Sequence, residues 1–176
     1  MIKLIDILEN KILVPRRSKE ERQKNYLITI QKQIQQYIKD GSKGDLNLND
    51  TPITSLPGSL KKVGGDLILY SSKITSLPND LQVGGNLYLS NSKITSLPNN
   101  LKVGGGLYLN NTLITSLPND LQVGGNLYLA DSKITSLPNN LKVGGFLYLI
   151  NTPISKKYSE EEIRKMVPGV KGGIYT

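Results

Sequence analysis

The sequence predicts an α/β repeat solenoid with short parallel strands on one face, a helical N-terminal cap and a short C-terminal cap helix. Three observations predict it. The stem ITSLP recurs at Ile53, Ile74, Ile94, Ile114 and Ile134, and a truncated IS follows at Ile154. The period is 20 residues, apart from one extra residue in the first copy, where Leu60-Lys61-Lys62-Val63 stands against Leu81-Gln82-Val83. Both flanks carry helix-start signals and lack the stem. A fixed short period marks coils that bury their apolar sides against one another, each too small to fold alone. The chain divides into a basic helical segment at 1–43, about six coils at 44–155 and a closing segment at 156–176, as one folded unit.

The elements follow in order. Ile2, Leu4, Ile5, Leu8 and Ile12 predict a short helix that ends before Pro15. Ser18-Lys19-Glu20-Glu21 is a capping box, and the helix it starts should run to about Lys39 and stop before Gly41. Leu27, Ile30, Ile34 and Ile38 form an apolar stripe at helical spacing, suited to covering the first coil. Within a coil, Leu87-Tyr88-Leu89 has the period of a strand, with both leucines inward and Tyr88 outward. Asp50, Asn91, Asn111, Asp131 and Asn151 suit the turn that comes next. Ile94 and Leu97 fit a tight helical or irregular turn, and Pro98 prevents regular pairing there. Leu101-Lys102-Val103 alternates again, and Gly104-Gly105 bends the backbone into the next strand. After the coils, Ser159-Glu160-Glu161-Glu162 is a second capping box, opening a helix to about Met166. Val170 to Tyr175 then mimics Val103 to Tyr108, as a last half-coil.

Composition limits the chemistry. The chain has 176 residues with no Cys, His or Trp, so it lacks disulfides, thiolate chemistry and the commonest general base. No coil offers a nucleophile beside a base, and no cofactor or metal motif is present. The expectation is a protein without catalytic activity or cofactor. The net charge of +8 is uneven: +5 on residues 1–43, +1 on 44–155 and +2 on 156–176. No apolar stretch is long enough to span a membrane, and Asp6 and Glu9 interrupt the first one, against a signal peptide. A cytoplasmic location is expected, or a particle assembled there, such as a virion.

The recurring pattern L-x-L-x-x-(N/S/T)-x-I-x-x-L-P-x-x-L resembles the leucine-rich repeat family, over residues 44–155. It is similar to the short, LP-containing bacterial class, and more loosely to arrays in bacteriophage-encoded proteins. One position departs from the family. Its asparagine is replaced by Thr51, Ser72, Ser92, Thr112, Ser132 and Thr152, where a hydroxyl ladder is expected to replace an asparagine ladder. The resemblance implies that the repeat strands line a concave face.

On that face the outward positions form three columns. The middle one holds Asn47, Ile68, Tyr88, Tyr108, Tyr128, Tyr148 and Tyr175. One flank holds Asp45, Asp66, Asn86, Gly106, Asn126 and Phe146; the other holds Asn49, Tyr70, Ser90, Asn110, Ala130 and Ile150. Tyrosine beside small polar groups is the chemistry of binding surfaces, with rigid aromatic area and adaptable hydrogen bonds. The expected partner-binding residues are Ile68, Tyr70, Asn86, Tyr88, Tyr108, Asn110, Asn126, Tyr128, Phe146 and Tyr148. The expected function is capture of a protein partner. The alternatives are a structural or self-associating assembly element, and nucleic-acid contact through Arg16, Arg17, Lys19, Arg22 and Lys24. Lys62, Lys102 and Lys142 alternate with Gln82 and Gln122 on a second surface, a sparse row suited to solubility.

Overall fold

The computed structural model describes residues 18–176. The short helix expected from Ile2 to Ile12, and Arg16 and Arg17, lie outside the described residues. Among the described residues the chain winds into a parallel β-solenoid of about five full turns, accompanied by three helices. Helix α1 spans Lys19–Lys39. The first five coils then contribute two short strands each and the sixth contributes one: β1 Leu46–Asn47, β2 Lys62–Val63, β3 Leu67–Ile68, β4 Gln82–Val83, β5 Leu87–Tyr88, β6 Lys102–Val103, β7 Leu107–Tyr108, β8 Gln122–Val123, β9 Leu127–Tyr128, β10 Lys142–Val143 and β11 Leu147–Tyr148. Helices α2 (Pro153–Lys157) and α3 (Glu160–Met166) interrupt the sixth coil before β12, Ile174–Tyr175.

Two sheets result, both parallel throughout. The first orders β1-β3-β5-β7-β9-β11-β12 and the second β2-β4-β6-β8-β10. The expectation of strands on one face alone is thus corrected. The Lys/Gln-Val segments pair as well, because Val63, Val83, Val103, Val123 and Val143 point inward while Lys or Gln points out, which is strand alternation on a second face. Every pairing is in register, Leu87 against Leu107 and Tyr88 against Tyr108, so each sequence column becomes a physical row. The extra residue of the first coil is absorbed between Leu60 and Lys62. There the Lys61 carbonyl accepts from Gln82, the place that Leu81 takes toward Lys102 one coil later.

The core is a stack of Leu, Ile and Val layers, with Leu67, Leu69, Ile74 and Leu81 fully buried in one coil and their equivalents in the next. Glycine is required where coils meet most closely. A Cβ on Gly104 would collide with the carbonyl of Gly84, and one on Gly124 with that of Gly104. The turn after each strand of the first sheet is left-handed, with φ of 59° at Asn91 and 53° at Asn111, the conformation that asparagine and aspartate tolerate best. Those side chains also link coils, since the Asn111 amide donates to Asn91 Oδ1 at 2.7 Å and the Asn151 amide to Asp131 Oδ1 at 3.2 Å.

The buried hydroxyls depart from the expected ladder. Thr51, Ser72, Thr112 and Thr152 each donate to the carbonyl three residues back in their own coil, at 2.6 to 2.7 Å. They close the local turn and do not bridge coils. Ser132 is buried in the same row, yet its Oγ has no partner.

At the start of the chain, Ser18 and Glu21 satisfy each other's backbone N–H groups, and Ile30 and Ile34 are buried in the same apolar cluster as the coils. Tyr37 ties the helix to the sheets: its hydroxyl donates to Gly44 O at 2.8 Å and accepts from Gly64 N–H at 3.2 Å. At the far end Ser159 starts α3, and Ile163 and Val167 are fully buried beside β12. Helix α2 is an addition to the sequence reading. Thr152 is its N-cap and Pro153 opens its first turn.

Candidate functional site

The outward residues of the first sheet form the candidate site. In-register pairing sets Tyr88, Tyr108, Tyr128 and Tyr148 in one stack with ring centroids 4.6 Å apart, and Tyr175 continues it at 4.8 Å. The planes lie within 17° of parallel, so internal rings turn their faces to each other and present edges and hydroxyls to solvent. Ile68 takes the position before Tyr88. The rings lean toward the flank that precedes them in sequence. A Cβ on Gly106 would press on the Tyr108 ring, and Asn126 Nδ2 donates to the Tyr128 hydroxyl at 3.0 Å.

That flank is itself a hydrogen-bonded ladder. Asp45 accepts from Asp66 N–H, Asp66 from Asn86 N–H at 2.7 Å, Asn86 from Gly106 N–H at 2.7 Å, and Asn126 from Phe146 N–H at 2.9 Å. Gly106 breaks the series because it has no side chain to accept from the next coil. Asn86 and Asn126, expected to meet a partner, therefore spend their carbonyl oxygens holding coils together. The signal for this role was present in the sequence: an Asp or Asn at 20-residue spacing beside a glycine pair.

The other flank is open. Tyr70 and Ile150 are exposed, and Asn110 and Ser90 are half-buried. At the far end Phe146 meets Tyr148 edge-on at 6.3 Å and Tyr175 at 5.8 Å. The face thus runs from polar (Asp45, Asn47, Asn49) at its first coil to apolar (Phe146, Tyr148, Ile150, Tyr175) at its last.

Packing alters the phenols. Burial pushes the Tyr108 hydroxyl above its ordinary value, and the neighbouring Tyr128 and Tyr88 add to the shift. Tyr148 is raised by desolvation and by its neighbours Tyr128 and Tyr175. An ionised ring in this stack would sit beside further phenols with little water between them.

Elsewhere, Lys62, Gln82, Lys102, Gln122 and Lys142 form one in-register row on the second sheet. A concavity of about 680 Å³ lies on that side between Lys102, Lys142 and the Pro168–Lys171 loop, away from the tyrosines. Lys19, Arg22 and Lys24 stand exposed in the first turns of α1, with Glu20 and Glu21 among them. Among the described residues, no cluster of three acidic, His or Cys side chains is placed to hold a metal ion. Among them, too, no helix is long and apolar enough to cross a membrane. No protein-family model matches the chain, and no curated protein matches its sequence.

Proposed function

We propose that the chain is a non-enzymatic interaction module of the leucine-rich repeat kind, which captures a protein partner on its tyrosine-lined face. The helices at the two ends act as caps that cover the outermost apolar layers, and the setting is cytoplasmic, in a bacterium or a phage-infected host. The observation that carries the reading is the mixed face itself. A rigid stack of tyrosine edges and hydroxyls lies beside side chains that differ from coil to coil, such as Tyr70, Asn110 and Ile150. The scaffold repeats almost without change, and variation gathers at these outward positions, where it alters contacts without disturbing the core. Edge-on rings offer apolar area together with hydrogen bonds. They do not offer the open ring faces on which nucleic-acid bases stack, which favours protein over nucleic acid.

The test is capture from a native host extract, with Tyr88, Tyr108 and Tyr128 changed together to Ala as the comparison. The variant should lose the partner while circular dichroism shows the coils intact. Unchanged capture overturns the reading. The second reading, a self-associating assembly element such as a virion part, is favoured by the sheet edge that the described residues leave open at β12.

A further inference from the structure

The two sides of the last coil end differently. In earlier coils, backbone N–H groups of the next coil cover the carbonyls around the glycine pair: Gly144 donates to Val123 O at 2.8 Å and Gly145 to Gly125 O at 2.9 Å. At the end of the stack Arg164 takes this role, its guanidinium donating to Val170 O at 2.8 Å and Gly172 O at 2.7 Å. The second-sheet side is thereby closed. Among the described residues the first-sheet side is not. Leu147 donates to Gly173 O and Leu149 to Tyr175 O, so the groups of residues 173 and 175 turn inward and Ile174 turns its N–H and its C=O outward together. Neither has a hydrogen bond with the described residues beyond β12. An edge strand in a lone molecule is ordinarily protected by charge, proline or a bulge. Here the last two strands show Phe146, Tyr148, Ile150 and Tyr175, with 41% of Phe146, 46% of Ile150 and 46% of Tyr175 exposed.

We propose that this edge is an interface for a second copy of the same chain, joined about a two-fold axis at Ile174. Two features make the edge self-complementary. A residue that turns both its N–H and its C=O outward can exchange both bonds with its own copy, as a hydrogen-bonded antiparallel pair does. The Tyr175 ring leans back over Gly173, its hydroxyl 3.5 Å from where a glycine Cβ would stand, so the ring lies above Ile174 and alongside the same axis. One face of that ring is taken by Tyr148 and the other is open. The axis therefore sets the open face of Tyr175 against the open face of Tyr175 in the copy, and the stack continues from one molecule into the next. The first coil does not fit this edge as well, because it would bring Asn47 and Asp45 against Tyr175 and Phe146. The proposal deepens the assembly reading and is independent of partner capture on the face.

Light scattering on the full chain across the micromolar range tests it. The mass should rise with concentration to twice that of one chain and stop there. Tyr175→Lys should hold the chain at single mass at every concentration with unchanged circular dichroism, and Tyr175→Phe should still pair. Phe146→Lys, beside the axis, should weaken pairing at least tenfold and serves if Tyr175→Lys fails to fold. A wild-type chain that stays single, a mass that grows past two copies, or pairing unaffected by both lysine variants overturns the proposal.

Discussion

Arg164 lies on the Gly172 carbonyl in the place that a backbone N–H of the following coil fills at Gly145. One planar side chain stands in for two main-chain donors, because the guanidinium fork spans Val170 O and Gly172 O at once. Arg164→Ala leaves both carbonyls without a protein partner and should cost about 1–3 kcal/mol. Arg164→Lys should recover only part of this, since an ammonium is a point donor. Urea unfolding of the three proteins checks it.

The hydroxyl row offers an internal comparison. Ser72 donates to Leu69 O at 2.6 Å, while the buried Ser132 Oγ has no partner. Ser72→Ala should therefore destabilise by about 0.5–1.5 kcal/mol, and Ser132→Ala should be neutral or stabilising. Equal losses at both positions would show that Ser132 makes a bond in solution.

Gly104→Ala should be far worse than either. Its Cβ would meet the Gly84 backbone, which cannot move without separating two coils. A loss of about 3 kcal/mol is expected, at the upper end of what overpacked sites ordinarily cost. Gly58→Ala is the control, because nothing lies within reach of a Cβ there. Thermal melts of the pair decide it.

The raised phenols give a pH dependence with a definite sign. Tyr108 and Tyr148 ionise less readily when folded than at the ordinary value of 10.0. Their contribution is fully present below that value and is lost as pH rises through the higher native values, because the unfolded chain releases its protons first. Urea midpoints should be level up to about pH 9 and fall beyond about pH 10. Tyr108→Phe should flatten part of the fall.

Row chemistry can be tested at Gln122. It separates Lys102 from Lys142 on the second sheet. Gln122→Lys sets three cations in adjacent register and should cost about 0.2–1 kcal/mol at low salt. The loss should shrink as salt is added, because exposed charges are screened. A salt-independent loss would point to packing.

Much of the fold was legible because period alone fixes register. Twenty residues between tyrosines set them in one stack, and both capping boxes marked where α1 and α3 begin. What escaped was settled by neighbours in space. Lys102-Val103 is too short to declare a strand until Gln82-Val83 and Gln122-Val123 lie alongside. Asn86 and Asn126 carry the residue types of a binding surface, and only stacking shows their oxygens committed to the next coil. Arg164 reads as one more charge on a helix until the chain folds back and brings the carbonyls of residues 170 and 172 beneath it.

The alternation of Lys with Gln, and of Asp80 and Asp120 with Asn100 and Asn140, has a consequence for how such a chain changes length. The stack tolerates insertion or loss of whole coils, but not of any number. Losing residues 82–101 would bring Asp80 beside Asp120 and Lys62 beside Lys102, whereas losing two coils returns both alternating rows to unlike neighbours. Parity is therefore conserved under pairs: the molecule can grow or shrink in even steps, and an odd step leaves a seam.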